Sequence, residues 1–150
     1  MSCDRCDIKN LIYQYADYID RGDLDGAAAM FSDGKLIAAG ADGKETEFVG
    51  AEAVHTLYSA FTRLYPDDGS PHTLHMTTNV ITEVMPGATS ASASCYAVVF
   101  QSVEDFPLQP VIGVRYYDKF GRSEQGWRFE ERKIESHLLG DLSRHLLQPL

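Results

Sequence analysis

Residues 7–20 read DIKNLIYQYADYID and carry their large apolar side chains on one side only. That face collects Ile8, Leu11, Ile12, Tyr15 and Ile19. Spacings of three and four residues are typical of a helix with one buried face. Gly22 suits the left-handed end of such a helix, and Asp23 suits the N-cap of a following one. The stretch therefore predicts a long amphipathic helix that ends near Asp20, followed by a short helix over residues 24–31.

The rest of the chain alternates between strand-like runs and turn-forming residues. Strands are predicted over residues 35–39, 45–49, 73–84, 90–101, 109–119 and 127–136, and the first two are joined by the turn Ala41-Asp42-Gly43. Helical periodicity predicts a third helix over residues 50–65 and a last amphipathic helix over residues 138–147. One sheet of this size must bury a face under the helices. We expect a single α+β domain over residues 1–150. A curved antiparallel sheet would be wrapped by three helices of the N-terminal half into a cone with one open mouth.

Composition and charge exclude several classes of partner. The 150 residues carry a net charge of -9, which disfavours nucleic acid and anionic membrane surfaces. No run approaches the ~20 apolar residues of a membrane span, and the N-terminal sequence has no secretory pattern. A cytoplasmic protein is therefore expected, with Cys3, Cys6 and Cys95 as reduced thiols. The C-x-x-C of Cys3 and Cys6 lacks the second pair that a zinc site needs, and no cofactor or metal motif is present.

Two residues are candidates for acid–base chemistry. Asp20 follows the last regular turn of the first helix, and His75 lies in the strand TLHMTTNVI, residues 73–81. A period of two places Thr77, Asn79 and Ile81 on the same strand face as His75, so that face is either wet or lines a polar pocket. The alternatives are a solvated acid near a turn and a histidine with a structural role.

The following strand has one face of small apolar side chains. Ala93, Cys95, Ala97 and Val99 alternate along it. Small residues leave room beside a strand, so they are candidates to wall a cavity for an apolar ligand. The alternative is close packing of a helix on the same face.

Several segments together resemble a known family. They are IYQYADYIDRGD at residues 12–23, AMF at residues 29–31, GAEAV at residues 50–54, HMTTN at residues 75–79 and GWRFEER at residues 126–132. Their order and spacing resemble the SnoaL-like branch of the nuclear transport factor 2-like superfamily, whose fold is also called cystatin-like, over about residues 5 to 145. Within it the chain is most similar to scytalone dehydratase, hexachlorocyclohexane dehydrochlorinase and bile acid 7α-dehydratase.

The resemblance implies a cofactor-independent lyase or isomerase that acts on a small, largely apolar ring compound. Asp20 and His75 match the positions of an Asp–His dyad in those enzymes, with histidine as general base and aspartate as its orienting partner. Tyr15 matches a pocket tyrosine of the bile acid enzyme, and Asn79 is a candidate to position the substrate. Relatives of this type pack as trimers or dimers, so a homo-oligomer is expected.

The chain also departs from these relatives, and other classes stay open. Val98 or Val99 stands where the bile acid enzyme has a second acid, and its basic residue near the C-terminal strand has no clear counterpart, although Ser136 and His137 lie near. No acid appears on the Cys95 face, where cyclases and ketosteroid isomerases would need one. A polyketide cyclase or ketosteroid isomerase-like enzyme, a non-catalytic small subunit of an aromatic-ring dioxygenase and a ligand-binding protein remain alternatives.

Overall fold

The computed structural model of the chain describes residues 3–40 and 42–150. Ala41, in the predicted turn between the first two strands, lies outside the described residues. The helices are α1 (Asp4–Asp20), α2 (Leu24–Ala29) and α3 (Gly50–Phe61). The strands are β1 (Lys35–Ala39), β2 (Glu45–Val49), β3 (Thr73–Glu83), β4 (Ser90–Val103), β5 (Phe106–Ser123) and β6 (Gly126–Leu139). Within these ranges no helix is both long and apolar enough to cross a membrane.

All six strands belong to one curved, open sheet in the order β2-β1-β6-β5-β4-β3. Neighbouring strands are antiparallel except β1 and β6, which run parallel. The predicted fold class, a curved sheet wrapped by three helices, is confirmed, and the sheet is mixed rather than wholly antiparallel. The parallel pair arises because β1 lies between its sequence neighbour β2, with which it is antiparallel, and β6, whose direction matches its own.

Helix α1 packs into the concave side of the sheet through the face that the sequence predicts. Ile8, Ile12 and Ile19 are buried there. At its end Gly22 has φ 77°, and a Cβ on it would lie 2.0 Å from the carbonyl oxygen of Gly69, so only glycine fits. The Asp23 carboxylate then accepts a hydrogen bond of 2.8 Å from the amide of Gly26 and caps α2. This tight turn fixes the end of α1 beside the start of β3.

The predicted C-terminal helix over residues 138–147 is wrong. Strand β6 continues to Leu139, and the segment after it, residues 140–150, forms turns and a single bridge between Leu146 and Thr62. Helix α3 correspondingly ends at Phe61, four residues before the predicted end, and the Arg63 amide donates to the carbonyl of His145 at 2.9 Å. Pairing between two distant segments therefore outweighs the helical periodicity of each. We call residues 140–150 the C-terminal segment.

The cysteines also differ from the expectation of reduced thiols throughout. Cys3 and Cys6 form a disulfide, whereas Cys95 is free and buried. Residues three apart on a helix lie on the same face, and the Cα atoms of Cys3 and Cys6 are 5.1 Å apart, within the range that a disulfide needs. The helical start of α1 thus brings together two cysteines that were expected to be reduced thiols.

Candidate active site

A cavity of about 300 Å³ lies between the concave face of the sheet, α1, α3 and the C-terminal segment. Most of its lining is apolar and comes from residues such as Leu36, Leu57 and Val114. The polar side chains in the lining include those of Tyr15, Tyr58, Tyr116, His75, Ser136 and His145. An apolar cavity with a few converging polar groups is the usual form of a small-molecule site.

Asp20 and His75 meet at the edge of this cavity. The Nδ1 atom of His75 lies 2.6 Å from Oδ1 of Asp20, and the His75 backbone amide donates to Oδ2 at 2.8 Å. The Thr73 hydroxyl donates to Oδ1 at 2.8 Å. The carboxylate therefore accepts three hydrogen bonds, all from the first residues of β3, and its position is set by the end of α1.

This arrangement defines the state of the imidazole. A carboxylate can only accept, so Nδ1 carries the hydrogen and Nε2 is left for a molecule in the cavity. The His75 side chain is 6% exposed and lines the cavity, whereas Asp20, 13% exposed, lies behind it. A hydrogen-bonded carboxylate that orients an imidazole is an arrangement suited to general-base chemistry. The predicted contact is present, and the catalytic roles of the two residues remain predictions.

Three tyrosines form the inner end of the cavity. The hydroxyls of Tyr15 and Tyr58 contact each other, and the ring of Tyr116 packs edge-on against Tyr15. Burial raises the pKa of Tyr15 and raises the pKa of Tyr58 and Tyr116 well above the ordinary value. All three therefore keep their hydroxyl hydrogens at neutral pH and can donate. The sequence analysis identified Tyr15 as a pocket residue, whereas Tyr58 lies within the predicted third helix and was not identified.

An ion pair that sequence reasoning missed is buried behind the tyrosines. Arg132 on β6 donates two hydrogen bonds to Asp118 on β5, at 2.7 and 2.8 Å, and both side chains are fully buried. The guanidinium lies 4.3 Å from the ring centre of Tyr15 and 4.0 Å from that of Tyr116. Burial opposes the charge of Arg132, but Asp118 and the tyrosines outweigh it and raise the pKa of the guanidinium.

The ion pair bears on one alternative function. Asp118 is an acid inside the cone, on the strand beside Cys95, where the sequence analysis saw none. It does not line the cavity, because Arg132 holds both its oxygens and the tyrosines lie in front. Asp118 is therefore poorly placed to take a proton from a bound molecule.

The prediction that Asn79 shares the face of His75 is wrong. The pairing of β3 with β4 shifts between Thr78 and Ile81, and Asn79 has φ 55°. Such a bulge reverses the alternation of the strand, so Asn79 and Ile81 are exposed and line a small pocket on the outer face of the sheet. Asn79 therefore cannot contact a molecule that lies against His75.

The small-residue face of β4 is divided between cavity and core. Val99 lines the cavity, as predicted. Cys95 and Ala97 do not, because they are packed in the same buried cluster as Tyr15 and Tyr116, which occupy the space in front of them. Burial raises the pKa of the Cys95 thiol to about 12, so this thiol stays protonated and unreactive.

The C-terminal segment adds a second histidine to the cavity. His145 lines it and is 8% exposed, and sequence reasoning missed it because residues 138–147 were predicted to be helical. Ser136 and His137 lie near the position at which the bile acid enzyme has a basic residue. Ser136 lines the cavity, whereas His137 is exposed on the surface.

Among the described residues, one cluster has the spacing of metal ligands. Asp67, Asp68 and His72 bring three ligand atoms within 4.8 Å of one another. They lie in the loop before β3, outside the cavity, and the His72 Nε2 atom is 2.8 Å from the Asp67 carboxylate. The hydrogen bonds of this exposed loop account for the cluster.

Comparison with known proteins places the chain in a family. None of the curated proteins matches it in sequence. An NTF2-like protein with a cystatin-like fold from Novosphingobium aromaticivorans has a TM-score of 0.71 at 23% identity, over 87% of this chain and 80% of that one. A structure from the same organism assigned as a scytalone dehydratase has a TM-score of 0.68 at 17% identity, over 91% and 86% of the two chains.

LinA is similar to the same degree, with a TM-score of 0.68 at 18% identity over 97% of this chain and 94% of LinA. At these identities the likeness shows the fold. The profile of the SnoaL-like domain matches residues 1–133, nearly the whole of α1 through β6. The chain therefore belongs to the SnoaL-like domain family of the nuclear transport factor 2-like superfamily.

Proposed function

We propose that the protein is a cofactor-independent lyase or isomerase that acts on a small, largely apolar ring compound, with His75 as general base. The observation that supports this most directly is the Asp20–His75 contact of 2.6 Å at the wall of a mostly apolar cavity. The similar structures include one assigned as a scytalone dehydratase and LinA, a hexachlorocyclohexane dehydrochlorinase.

The proposed reaction begins with transfer of a proton from carbon to Nε2 of His75. The electron pair of the broken C–H bond forms a double bond, and in an elimination the neighbouring group leaves with its own electron pair. The Asp20 carboxylate stabilises the imidazolium that results and keeps the ring in one orientation. In an isomerisation the same proton returns to another carbon of the substrate.

The tyrosine pair is placed to stabilise the oxygen of the substrate that gains negative charge. A leaving hydroxyl gains negative charge as its bond to carbon breaks, and it becomes water by taking from His75 the proton that was removed from carbon. A carbonyl oxygen likewise gains negative charge, and a hydrogen bond stabilises either oxygen. The hydroxyls of Tyr15 and Tyr58 are protonated donors at the inner end of the cavity. Val99 and the other apolar residues of the lining exclude water from the reacting atoms.

The test starts from a panel of ring hydroxy and halo compounds and of ring ketones such as 2-tetralone, followed by NMR in D₂O. On any compound that the protein turns over or exchanges, His75→Ala should lower kcat by about 10²–10⁴-fold, the usual contribution of a general base. Asp20→Asn should also lower kcat strongly, because an amide cannot stabilise the imidazolium. Added imidazole should restore part of the activity of His75→Ala by entering the space that the side chain leaves.

Two exposed residues provide matched controls. His137→Ala and Asp25→Asn change the same residue types on the surface and should keep full activity. Circular dichroism must show that all four variants are folded. Full activity in folded His75→Ala would mean that the dyad is structural, and the alternative of a polyketide cyclase or ketosteroid isomerase-like enzyme would then move ahead. Absence of activity on the whole panel would favour the ligand-binding and dioxygenase-subunit alternatives.

A further inference from the structure

His145 has a buried ring nitrogen that faces no protein partner. Its Nδ1 atom is inaccessible to solvent and makes no hydrogen bond, although the residue lines the cavity. Buried polar atoms in native proteins are nearly always paired, because an unpaired one costs about 1–3 kcal/mol. A molecule in the cavity cannot reach an atom that solvent cannot reach, so Nδ1 is the unprotonated nitrogen of the ring. Nε2 makes no hydrogen bond in the protein and keeps accessible surface, so it is the nitrogen that a ligand in the cavity can contact.

Hydrogen bonds to distant parts of the chain fix the backbone around His145, and so fix the point at which its side chain enters the cavity wall. The carbonyl of His145 accepts from the Arg63 amide at 2.9 Å, and the Leu147 amide donates to the carbonyl of Phe61 at 2.8 Å. One residue earlier, the carbonyl of Arg144 accepts from the Tyr65 hydroxyl at 2.6 Å and from the side-chain amide of Gln101 at 3.0 Å. These bonds fasten the C-terminal segment to α3, the loop after it and β4.

Its charge state suits hydrogen bonding rather than proton abstraction. Burial, and then the nearby His75, lower the pKa of His145 to about 4, and Asp20 offsets this in part. The ring is therefore neutral at physiological pH and offers one N–H donor and one acceptor. A neutral imidazole that donates to a substrate oxygen is a known way to polarise a carbonyl.

We propose that His145 is a substrate-contacting residue of the cavity, hydrogen-bonded to a hydroxyl or carbonyl oxygen on the ring compound whose proton His75 removes. This rests on the proposed function and narrows it: the substrate is an oxygen-bearing ring, and the reaction is a dehydration or an isomerisation beside a carbonyl. A halide accepts hydrogen bonds poorly and would leave the Nε2–H group of His145 unpaired, so dehydrohalogenation fits the site less well.

The test uses two probes of the same shape, 2-naphthol and naphthalene, with binding measured by titration of intrinsic fluorescence. The wild-type protein should bind 2-naphthol more tightly than naphthalene. In His145→Phe, which keeps a flat ring of similar size, this preference should fall by about 3- to 10-fold, the equivalent of one hydrogen bond. His145→Asn should retain part of the preference, and His137→Phe should retain all of it.

Other outcomes would overturn the proposal. If His145→Phe still preferred 2-naphthol over naphthalene as strongly as the wild type, His145 would not contact the oxygen. If the variant lost affinity for both probes equally, His145 would have a packing role only. Failure of the wild type to prefer 2-naphthol would count against it in the same way. The measurement requires no turnover. If His75→Ala keeps full activity while the preference still depends on His145, the proposed reaction fails and the oxygen-binding role stands.

Discussion

His145 is a histidine whose burial couples protonation to folding. Burial lowers its pKa from 6.5 to about 4 in the folded protein, and Asp20 on α1 and His75 on β3 are the titratable groups that also influence it. Between these two values the unfolded chain binds more protons than the folded one, so His145 favours folding above pH 6.5 and this contribution is lost as the pH falls.

We therefore expect the wild type to lose stability relative to His145→Phe as the pH falls from 7 to 4. The full loss in the free energy of unfolding of the wild type, relative to the variant, is about 3 kcal/mol, since one pKa unit is about 1.4 kcal/mol. Urea unfolding of both proteins at several pH values measures it, and subtracting the variant removes the contribution of the carboxylates. If the free energies of unfolding of the two proteins changed with pH in the same way, His145 would not be held neutral in the folded state.

At the level of single residues, the sequence was enough to predict some site residues and not others. Asp20 and His75 were found through the position of one after a helix and of the other in a strand, together with the family resemblance. Asp118 was detectable in principle, since it follows the alternation of buried residues on β5. Arg132 was not, because the pairing of β5 with β6 shifts between Lys119 and Phe120 and breaks the alternation after Phe129. His145 was not, because only the folded C-terminal segment brings it to the cavity.

Among the elements, β3 shows how one residue changes the face of a strand. Asn79 has φ 55°, a conformation that asparagine and glycine adopt more readily than other residues and that costs others about 1–2 kcal/mol. We expect Asn79→Gly to leave the free energy of unfolding nearly unchanged and Asn79→Val to lower it by about 1–2 kcal/mol.

Urea unfolding of the two variants tests this, and probe binding tests the correction to the site. Because Asn79 lies on the outer face, both variants should bind 2-naphthol as the wild type does. Thr77→Val, a change of similar size in the same strand before the bulge, serves as the control for stability. Equal stability of Asn79→Val and Asn79→Gly would contradict the left-handed conformation.

The elements that the sequence predicted best are those stabilised by their own neighbours. Helix α1 has a continuous apolar face and a glycine at its end, and β1 and β2 match their predicted bounds. The bulge in β3 and the C-terminal segment depend on partners far along the chain, β4 in one case and Thr62 in the other. Local periodicity carries no information about such partners, which is why both were mispredicted.

Considered as a whole, the molecule exposes an apolar row across the outer face of its sheet. Met76, Val98, Gly113 and Leu138 are cross-strand neighbours on β3 to β6, and Met76 and Leu138 are more than half exposed. Leu74 extends the row beside Phe100. An apolar surface across four strands favours association, and a second copy of the chain is the partner we propose.

We expect light scattering to give the mass of a dimer or trimer at micromolar protein. Met76→Glu combined with Leu138→Glu should shift the mass to that of the monomer, because two charges would be buried without partners. Met85→Glu, in the turn between β3 and β4, changes an equally exposed side chain away from the row and should leave the mass unchanged. A monomeric wild type would refute the proposal.

The last residue of the C-terminal segment has a practical consequence for anyone who purifies or labels the protein. Leu150 lines the cavity and is partly exposed, so it lies where the cavity opens to solvent. An affinity tag or dye joined to it would begin at the opening through which a ligand must pass. At the other end, Asp4 at the start of α1 bonds to Arg122 and Trp127, neither of which lines the cavity. A tag placed before α1 therefore leaves the opening clear, and ligand screens are best run on protein tagged there.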